Sequence, residues 1–206
     1  MAIQDYKPTR SQLILVRKTR ATAERGHRLL KLKRDALIVE FFKVLEKARN
    51  IRSNIVDKYK LAEERMAIAS AIEGLIGIQS ASYALLERPT LELKTRNVMG
   101  ISVPSIDAKS VKKTIAQRGY GVIETSPRID EAAEAYEDLV ENIIRAAEVE
   151  TTMRRLIEEI EKVKRRVNAL ENRVIPDLKA TERFIRFRLE EMERDNFMRL
   201  KRFKGS

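Results

Sequence analysis

The placement of proline most strongly constrains the fold of this chain, because proline interrupts both helices and sheet ladders. No proline lies between Arg10 and Arg88, and Pro176 is the only one between Arg128 and Lys204. A helix of about 75 residues is on the order of 110 Å long at 1.5 Å per residue, which is too long for a compact domain of this size. The sequence therefore predicts two long helices on either side of a central region.

The first long helix has a clear start signal. Thr9 follows Pro8 and can cap the helix, and Gln12, three residues later, completes a capping box. From Leu13 onward, apolar residues recur with the alternating three- and four-residue spacing of a coiled-coil seam. The seam positions on which we base the prediction are Leu37, Phe41, Val44, Ile51 and Ile55. Glycines weaken the far end of the pattern, and we expect the helix to break near Gly77.

The second long helix begins at Ser126, a capping residue, followed by Pro127 at the first helical position and Asp130 in the first turn. The corresponding seam positions are Ile160, Val163, Val167, Leu170 and Val174. The regular spacing is lost after Val174, beside Pro176, which removes one backbone hydrogen bond. The sequence therefore predicts a local departure from regular helix at this point, with a bend in the helix.

The central region contains two short, partly β-branched runs bounded by glycine or proline. These runs, Val98–Val103 and Tyr120–Glu124, are typical of two small strands that pair as a distorted hairpin. The segment Asp107–Gln117 between them is predicted to form a short helix that stops at Gly119.

These elements predict a mainly α fold, in which the N- and C-terminal helices form a long antiparallel two-helix coiled coil. A small α/β, hairpin-like cap lies in the centre of the chain. The predicted regions are residues 1–88 for the first helix, 89–126 for the cap and 127–204 for the second helix. Both chain termini are then expected at one end of the coiled coil and the cap at the other.

The residues that carry most enzyme chemistry are scarce. The chain has one histidine and no cysteine, and its seven glycines do not form a phosphate-binding loop of the Walker type. The lone Gly119-Tyr120-Gly121 pattern is more typical of a turn, and His27 falls on a seam position without a catalytic partner beside it in the sequence. We therefore predict no catalytic residue, no metal site and no cofactor.

Charge is unevenly distributed along a chain whose formal net charge is +11. Residues 1–34 carry ten basic side chains and two acidic ones, and residues 179–206 carry nine and five. Residues 129–150 reverse the sign, with eight acidic side chains and one basic. In an antiparallel coiled coil the two basic stretches lie side by side, so the sequence predicts a positive end and an opposite end that engages a different partner.

No run of about 18 to 20 apolar residues is present, and the N-terminus lacks the apolar stretch of a signal peptide. The sequence therefore predicts a soluble, intracellular protein without direct membrane insertion.

Both ends of the chain resemble the D-subunit family of archaeal and bacterial A/V-type rotary ATPases. At the N-terminus the resemblance rests on Lys7–Arg10 and Ala23–Ile38. At the C-terminus it rests on Arg166–Glu171, Val174–Pro176, Leu189–Asp195 and Phe197–Lys201. These segments cover roughly half of the chain in the family's order, whereas the middle of the chain is similar only in character.

The resemblance implies a non-catalytic central stalk, or rotor shaft, of a proton- or sodium-translocating ATPase or ATP synthase. It would transmit torque between the catalytic hexamer and the membrane ring. The implied partners are the hexamer subunits A and B, the small F subunit of the stalk and the C subunit of the stalk above the ring. The implied location is cytoplasmic and peripheral to the cell membrane. The expected partner interface comprises Arg10, Arg17, Arg20, Arg25, Arg28, Arg194, Phe197, Met198, Arg199, Leu200, Lys201 and Arg202.

Two other protein classes fit parts of the pattern. A basic coiled coil can bind nucleic acid or act as a scaffold. However, the sequence contains no recognisable nucleic-acid-binding motif, and acidic residues are mixed through both helices. A membrane-adsorbed helical protein would also be basic, although a long heptad seam is better explained by helix pairing. An enzyme is the least expected class.

Overall fold

The computed structural model describes residues 7–84, 90–109, 111–114, 117–120 and 126–205. In chain order the elements are α1 (Arg10–Tyr83), β1 (Thr90–Val98), β2 (Ile101–Lys109), α2 (Pro127–Ala169) and α3 (Ile175–Lys204). A π-helical turn, Leu170–Val174, joins α2 to α3. The fold is therefore mainly helical with a small antiparallel hairpin in the middle of the chain, as the sequence predicts.

The chain divides into two compact units. Unit 1 comprises residues 1–38 and 159–206. Within it, Arg10 pairs with Glu193, and Lys33 pairs with Glu159. Because the partner number falls as the α1 number rises, the two helical segments of unit 1 are antiparallel.

Unit 2 comprises residues 39–158 and contains the hairpin. Its helical segments are also antiparallel, since Lys58 pairs with Asp138 and Arg65 donates to the carbonyl of Glu131. Ala62 is fully buried at the centre of this pair and packs in one cluster with Ala135, Leu139, Ile55 and Tyr136. Alanine at such positions lets two helix backbones approach closely.

Both predicted helix starts are confirmed. The Thr9 hydroxyl accepts the Gln12 N–H at 3.2 Å, and α1 begins at the next residue, Arg10. The Ser126 hydroxyl accepts the Arg128 N–H at 3.3 Å, with Pro127 as the first residue of α2. Each cap satisfies one of the N–H groups that a helix leaves without a partner in its first turn.

The break in α1 lies at Gly74 rather than near Gly77. Gly74 has φ 72° and ψ 165°, a conformation that L side chains rarely adopt, and helical geometry resumes after it. Large apolar side chains on both sides of the break are exposed, since Ile72 and Ile76 are 60% and 84% exposed. The two glycines look equivalent in the sequence, and only the backbone conformation separates them.

The predicted strands were misplaced. Val98–Val103 spans the turn of the observed hairpin, in which Val98 pairs with Ile101 and Met99 and Gly100 both have positive φ. The Asn97 side chain accepts the Gly100 N–H at 2.8 Å and holds this turn. β1 was missed because its sequence, TLELKTRNV, is largely polar and its residues are almost all exposed. Of the second predicted strand, residues 121–124 lie outside the described residues.

The helix predicted over Asp107–Gln117 is not supported. Residues 107–109 belong to β2, and residues 111–114 are irregular. Residues 110, 115 and 116 lie outside the described residues.

Pro176 is accommodated by the π-helical turn that precedes it. The Ile175 N–H bonds to the carbonyl of Leu170, five residues back, in place of the usual four. The predicted departure from regular helix is confirmed, and its form is a widened turn that inserts one extra residue.

The extra residue shifts the buried face of the helix. The seam of unit 1 runs through Val163 and Val167, both 1% exposed, and then through half-buried Leu170. After the π turn it continues through half-buried Ile175, whereas Val174 is 38% exposed. The prediction of Val174 as a seam residue is therefore wrong, because the extra residue rotates the following side chains by about 100°. Of the other seam predictions, Leu37 is fully buried and the half-buried positions are Phe41, Val44, Ile51, Ile55 and Ile160.

We predict that Gly119→Ala destabilises the protein by roughly 2 kcal/mol, because Gly119 has a positive φ that costs an L residue about 1 to 2 kcal/mol. A Cβ there would also lie 2.6 Å from the carbonyl oxygen of Ala84. Urea unfolding followed by circular dichroism measures the effect.

The matched control is Gly26→Ala, where a Cβ meets nothing within 4 Å in the middle of α1. It should raise the free energy of unfolding by up to about 1 kcal/mol, since alanine is the better helix former. Equal unfolding midpoints for the two variants would contradict the close approach of Gly119 to Ala84.

Candidate partner interface

Two of the expected interface arginines are engaged within unit 1. Glu182 lies in the seam with its side chain 9% exposed, and it accepts Arg20 Nη1 at 2.6 Å and Arg17 Nε at 3.0 Å. Arg20 interrupts the apolar seam of α1, and Glu182 stands opposite it on α3. The pair therefore fills a seam position with matched charges, since a buried carboxylate without a cation is costly.

The remaining N-terminal arginines of the expected interface lie on the surface. Arg10 Nη2 bonds to Glu193 at 2.6 Å, and both side chains are more than half exposed. Arg25 donates to the carbonyl of Ala21 in its own helix, and Arg28 is exposed. Surface pairs of this kind hold little energy and leave the charges accessible.

The last turns of α3 combine positive charge with exposed apolar side chains. Phe197 and Leu200 are 67% and 66% exposed, and Met198 is 54% exposed. Interleaved with them are the exposed side chains of Arg194, Arg199, Lys201 and Arg202. Large apolar side chains that are exposed close together mark a surface suited to a protein partner, and the basic ones favour an acidic partner. We call residues 194–204 the terminal segment.

His27 lies beside the π turn, as part of the same helix pair. Its Nε2 atom is buried and 3.4 Å from a carboxylate oxygen of Glu171, without a hydrogen bond between them. Glu24, on the previous turn of α1, pairs with Lys179 at 3.8 Å. His27 therefore packs in the seam of unit 1, which is where its place in the heptad spacing predicts it.

Unit 2 carries a second charge network, centred on Arg118. This side chain is 6% exposed, and its guanidinium bonds to Asp130 at 2.8 Å and to both carboxylate oxygens of Glu137, at 3.2 and 3.1 Å. The Tyr120 hydroxyl donates to the same Asp130 oxygen at 2.6 Å. Together these contacts fasten the segment 117–120 to the first three turns of α2.

The network shifts the ionisation of its members. Burial raises the pKa of Tyr120 to about 12, and its hydrogen bond to Asp130 acts in the same direction. Burial alone would lower the pKa of Arg118, but hydrogen bonds to Glu137 and Asp130 outweigh it and raise that pKa. Arg118 is therefore a permanent cation, and Tyr120 stays protonated as a donor at physiological pH.

Several other acidic residues of α2 also bind groups within unit 2. Lys112 Nζ lies 2.6 Å from Asp138, and their hydrogen bond lowers the pKa of the Asp138 carboxyl. Glu148 accepts the backbone N–H of Ile106 in β2, and Glu137 accepts that of Lys113. The acidic stretch 129–150 therefore holds the hairpin and the following loop, so its charge alone does not mark a partner surface.

Among the described residues, no group of three or more His, Asp or Glu side chains could hold a metal ion. No helix in this part of the chain is long and apolar enough to cross a bilayer. A cavity of about 170 Å³ in unit 2 is lined almost wholly by apolar groups, including Met66, Ala69 and Tyr136. The cavity wall thus offers few polar groups that could orient a substrate.

Sequence reasoning missed two ionic residues that are buried in the described part of the chain, Arg118 and Glu182. Arg118 lies in a loop whose path depends on the contacts with α2, and no periodic pattern marks it. Glu182 resembles one of many surface charges in the sequence, because its burial depends on the arginines of the facing helix. An arginine on the seam of α1 was the available signal, since a buried cation needs an opposing carboxylate.

Comparison with known proteins gives a consistent result over the whole chain. A family model described as the D subunit of ATP synthase matches residues 12–205. The D subunit of the A-type ATP synthase of Methanoregula boonei is 52% identical over 205 residues, which cover 100% of this chain and 98% of that protein. Its counterpart in Methanosarcina acetivorans is 54% identical with the same coverage, and that of Archaeoglobus fulgidus is 47% identical over 97% of this chain and 96% of its own length.

We predict that Arg118→Gln lowers the free energy of unfolding by about 3 kcal/mol, because two acidic side chains lose a buried cationic partner. The control is Arg128→Gln, which breaks a pair with Glu131 in which both side chains are about half exposed, 50% and 46%. That change should cost less than about 1 kcal/mol. Urea unfolding of both variants measures the difference, and equal losses would show that Arg118 does not anchor the loop.

We also predict that Tyr120 makes the protein lose stability in alkali. Because the pKa is raised from 10.0 to about 12 in the folded state, the contribution is complete below pH 10 and is lost as the pH rises towards 12. In a rapid-mixing absorbance titration, one of the five tyrosines should ionise near pH 12. Tyr120→Phe should remove this late step, whereas Tyr83→Phe, at a site 84% exposed, should leave it in place.

Proposed function

This chain belongs to the D-subunit family of ATP synthases, and on that premise we propose that it is a non-catalytic central stalk subunit of an A-type ATP synthase. In this role it acts as a rotor shaft and transmits torque between the catalytic hexamer and the membrane ring. Identity of about 50% to the D subunits of A-type ATP synthases over the whole chain is the observation that carries the proposal.

The helix pair of unit 1 supports a mechanical role. Its seam includes Val163, Val167 and Ile185, which are all buried. The Arg20–Glu182 pair adds a polar contact that fits in one register only, so sliding one helix along the other would leave Glu182 buried without its cation. A shaft needs this resistance to slippage when it carries torque.

The terminal segment supports a protein partner at that part of unit 1. Its apolar side chains are exposed together with basic ones, so it can bind an apolar pocket of a partner protein that has an acidic rim. We assign this binding pocket to the hexamer of subunits A and B. The surface arginines Arg10, Arg25 and Arg28 lie on α1 of the same unit and are the further candidates for contact with it.

The remaining partners follow from the family. We propose that the small F subunit and the C subunit of the stalk bind this chain, and that the C subunit seats it above the membrane ring. The chain then lies on the cytoplasmic side, peripheral to the cell membrane, and ATP chemistry belongs to the hexamer. The coupling ion, a proton or sodium, is a property of the membrane ring.

Co-expression tests the proposal. The tagged chain should recover the large hexamer subunits and small stalk partners, and the recovered complex should hydrolyse ATP and pump ions after reconstitution. Recovery of nucleic acid, or of the chain alone, would contradict the proposal and favour a basic scaffold protein.

Within that complex we predict that Val167→Asp lowers the ratio of ions pumped to ATP hydrolysed by roughly tenfold or more, because it places a charge in the seam. Val174→Asp is the matched control, since the same substitution falls on a side chain that is 38% exposed. Circular dichroism shows whether either variant has lost helix. Equal coupling in the two variants, with helicity retained, would show that the seam of unit 1 does not carry torque.

A further inference from the structure

We propose that the outer edge of β1 binds an extended segment of another subunit of the complex, which adds a third strand to the hairpin. This inference rests on the proposed function, because it takes its partner from the same complex. Three features of the hairpin support it: the outward backbone groups of β1, the blocked edge of β2 and the exposed leucines of β1.

The register shows which backbone groups of β1 point outward. The Ile106 N–H bonds to Glu148 and so points away from β1. Ile106 faces Leu93, and such a pair in an antiparallel ladder makes no hydrogen bonds between its two strands. Alternation along the ladder then places Leu91 and Thr95 in pairs of the same type. The N–H and C=O groups of these three β1 residues therefore face outward, away from β2.

Two further features agree with this assignment. A two-residue turn such as Met99-Gly100 is closed by a hydrogen-bonded pair, here Val98 and Ile101. Since hydrogen-bonded and non-hydrogen-bonded pairs alternate along the ladder, counting from this pair also makes Leu93 and Ile106 a non-hydrogen-bonded pair. Pro104 faces Thr95, and a proline fits the ladder only where its nitrogen points away from the partner strand. The outward groups of β1 thus follow from three independent observations.

The two edges of the hairpin differ sharply. On β2, Pro104 supplies no donor and Glu148 already accepts the N–H of Ile106, so this edge is closed to an added strand. On β1, residues 90–97 are all exposed, and the strand contains no proline over its nine residues. Proteins normally block an exposed edge with proline, a bulge or a covering element, because an open edge is a template for pairing.

The side chains of β1 indicate what kind of strand fits. Leu91 and Leu93 lie on one face of the hairpin and are 51% and 74% exposed. The other face carries Ile101 and Val103, which are buried against the protein. Since directly opposed side chains in a sheet share a face, the added strand needs apolar residues at alternate positions, opposite the two leucines.

The charge of β1 indicates the charge of the strand that fits beside it. β1 carries Lys94 and Arg96 against Glu92, so the strand is basic overall. A strand with an acidic residue opposite Arg96 complements this edge. A hairpin of two strands is also marginally stable by itself, and a third strand would increase the area that it buries. The occupant that we assign is thus an extended, alternately apolar and partly acidic segment of a neighbouring subunit.

Amide-resolved hydrogen exchange tests the assignment, on the full chain alone and on the co-expressed complex. We expect the amides of Leu91, Leu93 and Thr95 to exchange fast in the free chain and roughly 100-fold more slowly in the complex, because strand addition gives each an acceptor. Unchanged exchange at these amides in an assembled, active complex would overturn the inference and leave the proposed function intact. If no complex assembles, the proposed function fails and this inference fails with it.

A matched pair of variants distinguishes a partner strand that pairs with β1 from a partner that only covers the hairpin. Thr95→Pro removes one outward N–H donor from β1. Thr95 faces Pro104 in a non-hydrogen-bonded pair, so proline at either position leaves the hydrogen bonds between β1 and β2 intact. In the complex it should speed exchange at Leu91 and Leu93 by roughly tenfold, because the added strand is weakened. Ser102→Pro makes the same change on the outer edge of β2 and should have no such effect.

Two results would overturn the proposal even if the amides are protected. If Thr95→Pro leaves the protection in the complex unchanged, a partner covers the hairpin without pairing with β1. If protection also develops in the free chain and rises with its concentration, the occupant is a second copy of this chain.

Discussion

Burial of one apolar stripe along each antiparallel helix pair is the constraint on which the rest of this structure depends. A two-helix layer buries little surface, so each interruption of the stripe must be compensated in place. Three arginines interrupt it, and each has a partner: Arg20 binds Glu182, Arg65 binds the carbonyl of Glu131, and Arg34 binds the adjacent Asp35. The first two of these contacts join the facing helices, so they add register specificity that a uniform stripe of leucine or valine would not provide.

The central region is held in a different way. The hairpin and the following loop attach to α2 mainly through ionic and polar contacts, with Arg118, Lys112 and the Ile106 N–H bound to acidic side chains of α2. Apolar burial is limited there to small groups such as Tyr120 with Ala81 and Ile129. The exposed contacts among these, such as that of Lys112 with Asp138, add little stability, so this part of unit 2 should respond to pH and salt more than the helix pairs do.

The helices could be predicted from the sequence because caps and heptad spacing are local signals. Thr9 and Ser126 show the caps, and the spacing of the α1 seam is visible in the sequence. Its positions Leu37, Phe41, Val44, Ile51 and Ile55 are buried or half-buried. The central region could not be predicted in the same way. The Met99-Gly100 turn looks like part of a strand when its left-handed backbone is unknown, and β1 is largely polar because its side chains from Thr90 to Asn97 are exposed on both faces. Arg118 and Glu182 were missed because their burial depends on contacts between segments distant in sequence. The expected interface residues of α3 could be named from the resemblance, whereas the internal role of Arg17 and Arg20 required the opposing helix.

The π turn has a consequence for how chain length can vary. Its extra residue is absorbed within Leu170–Val174, and beyond it the seam resumes a regular spacing through Ile175, Leu178, Glu182, Ile185 and Leu189. A relative with one residue fewer in this turn would form an ordinary α-helix and present the same side chains to α1. Straightening the turn without a deletion would instead swing Glu182 away from its arginines by about 100°. Deletion of a single residue is therefore tolerated here, whereas along α3 it would rotate every later residue out of the seam.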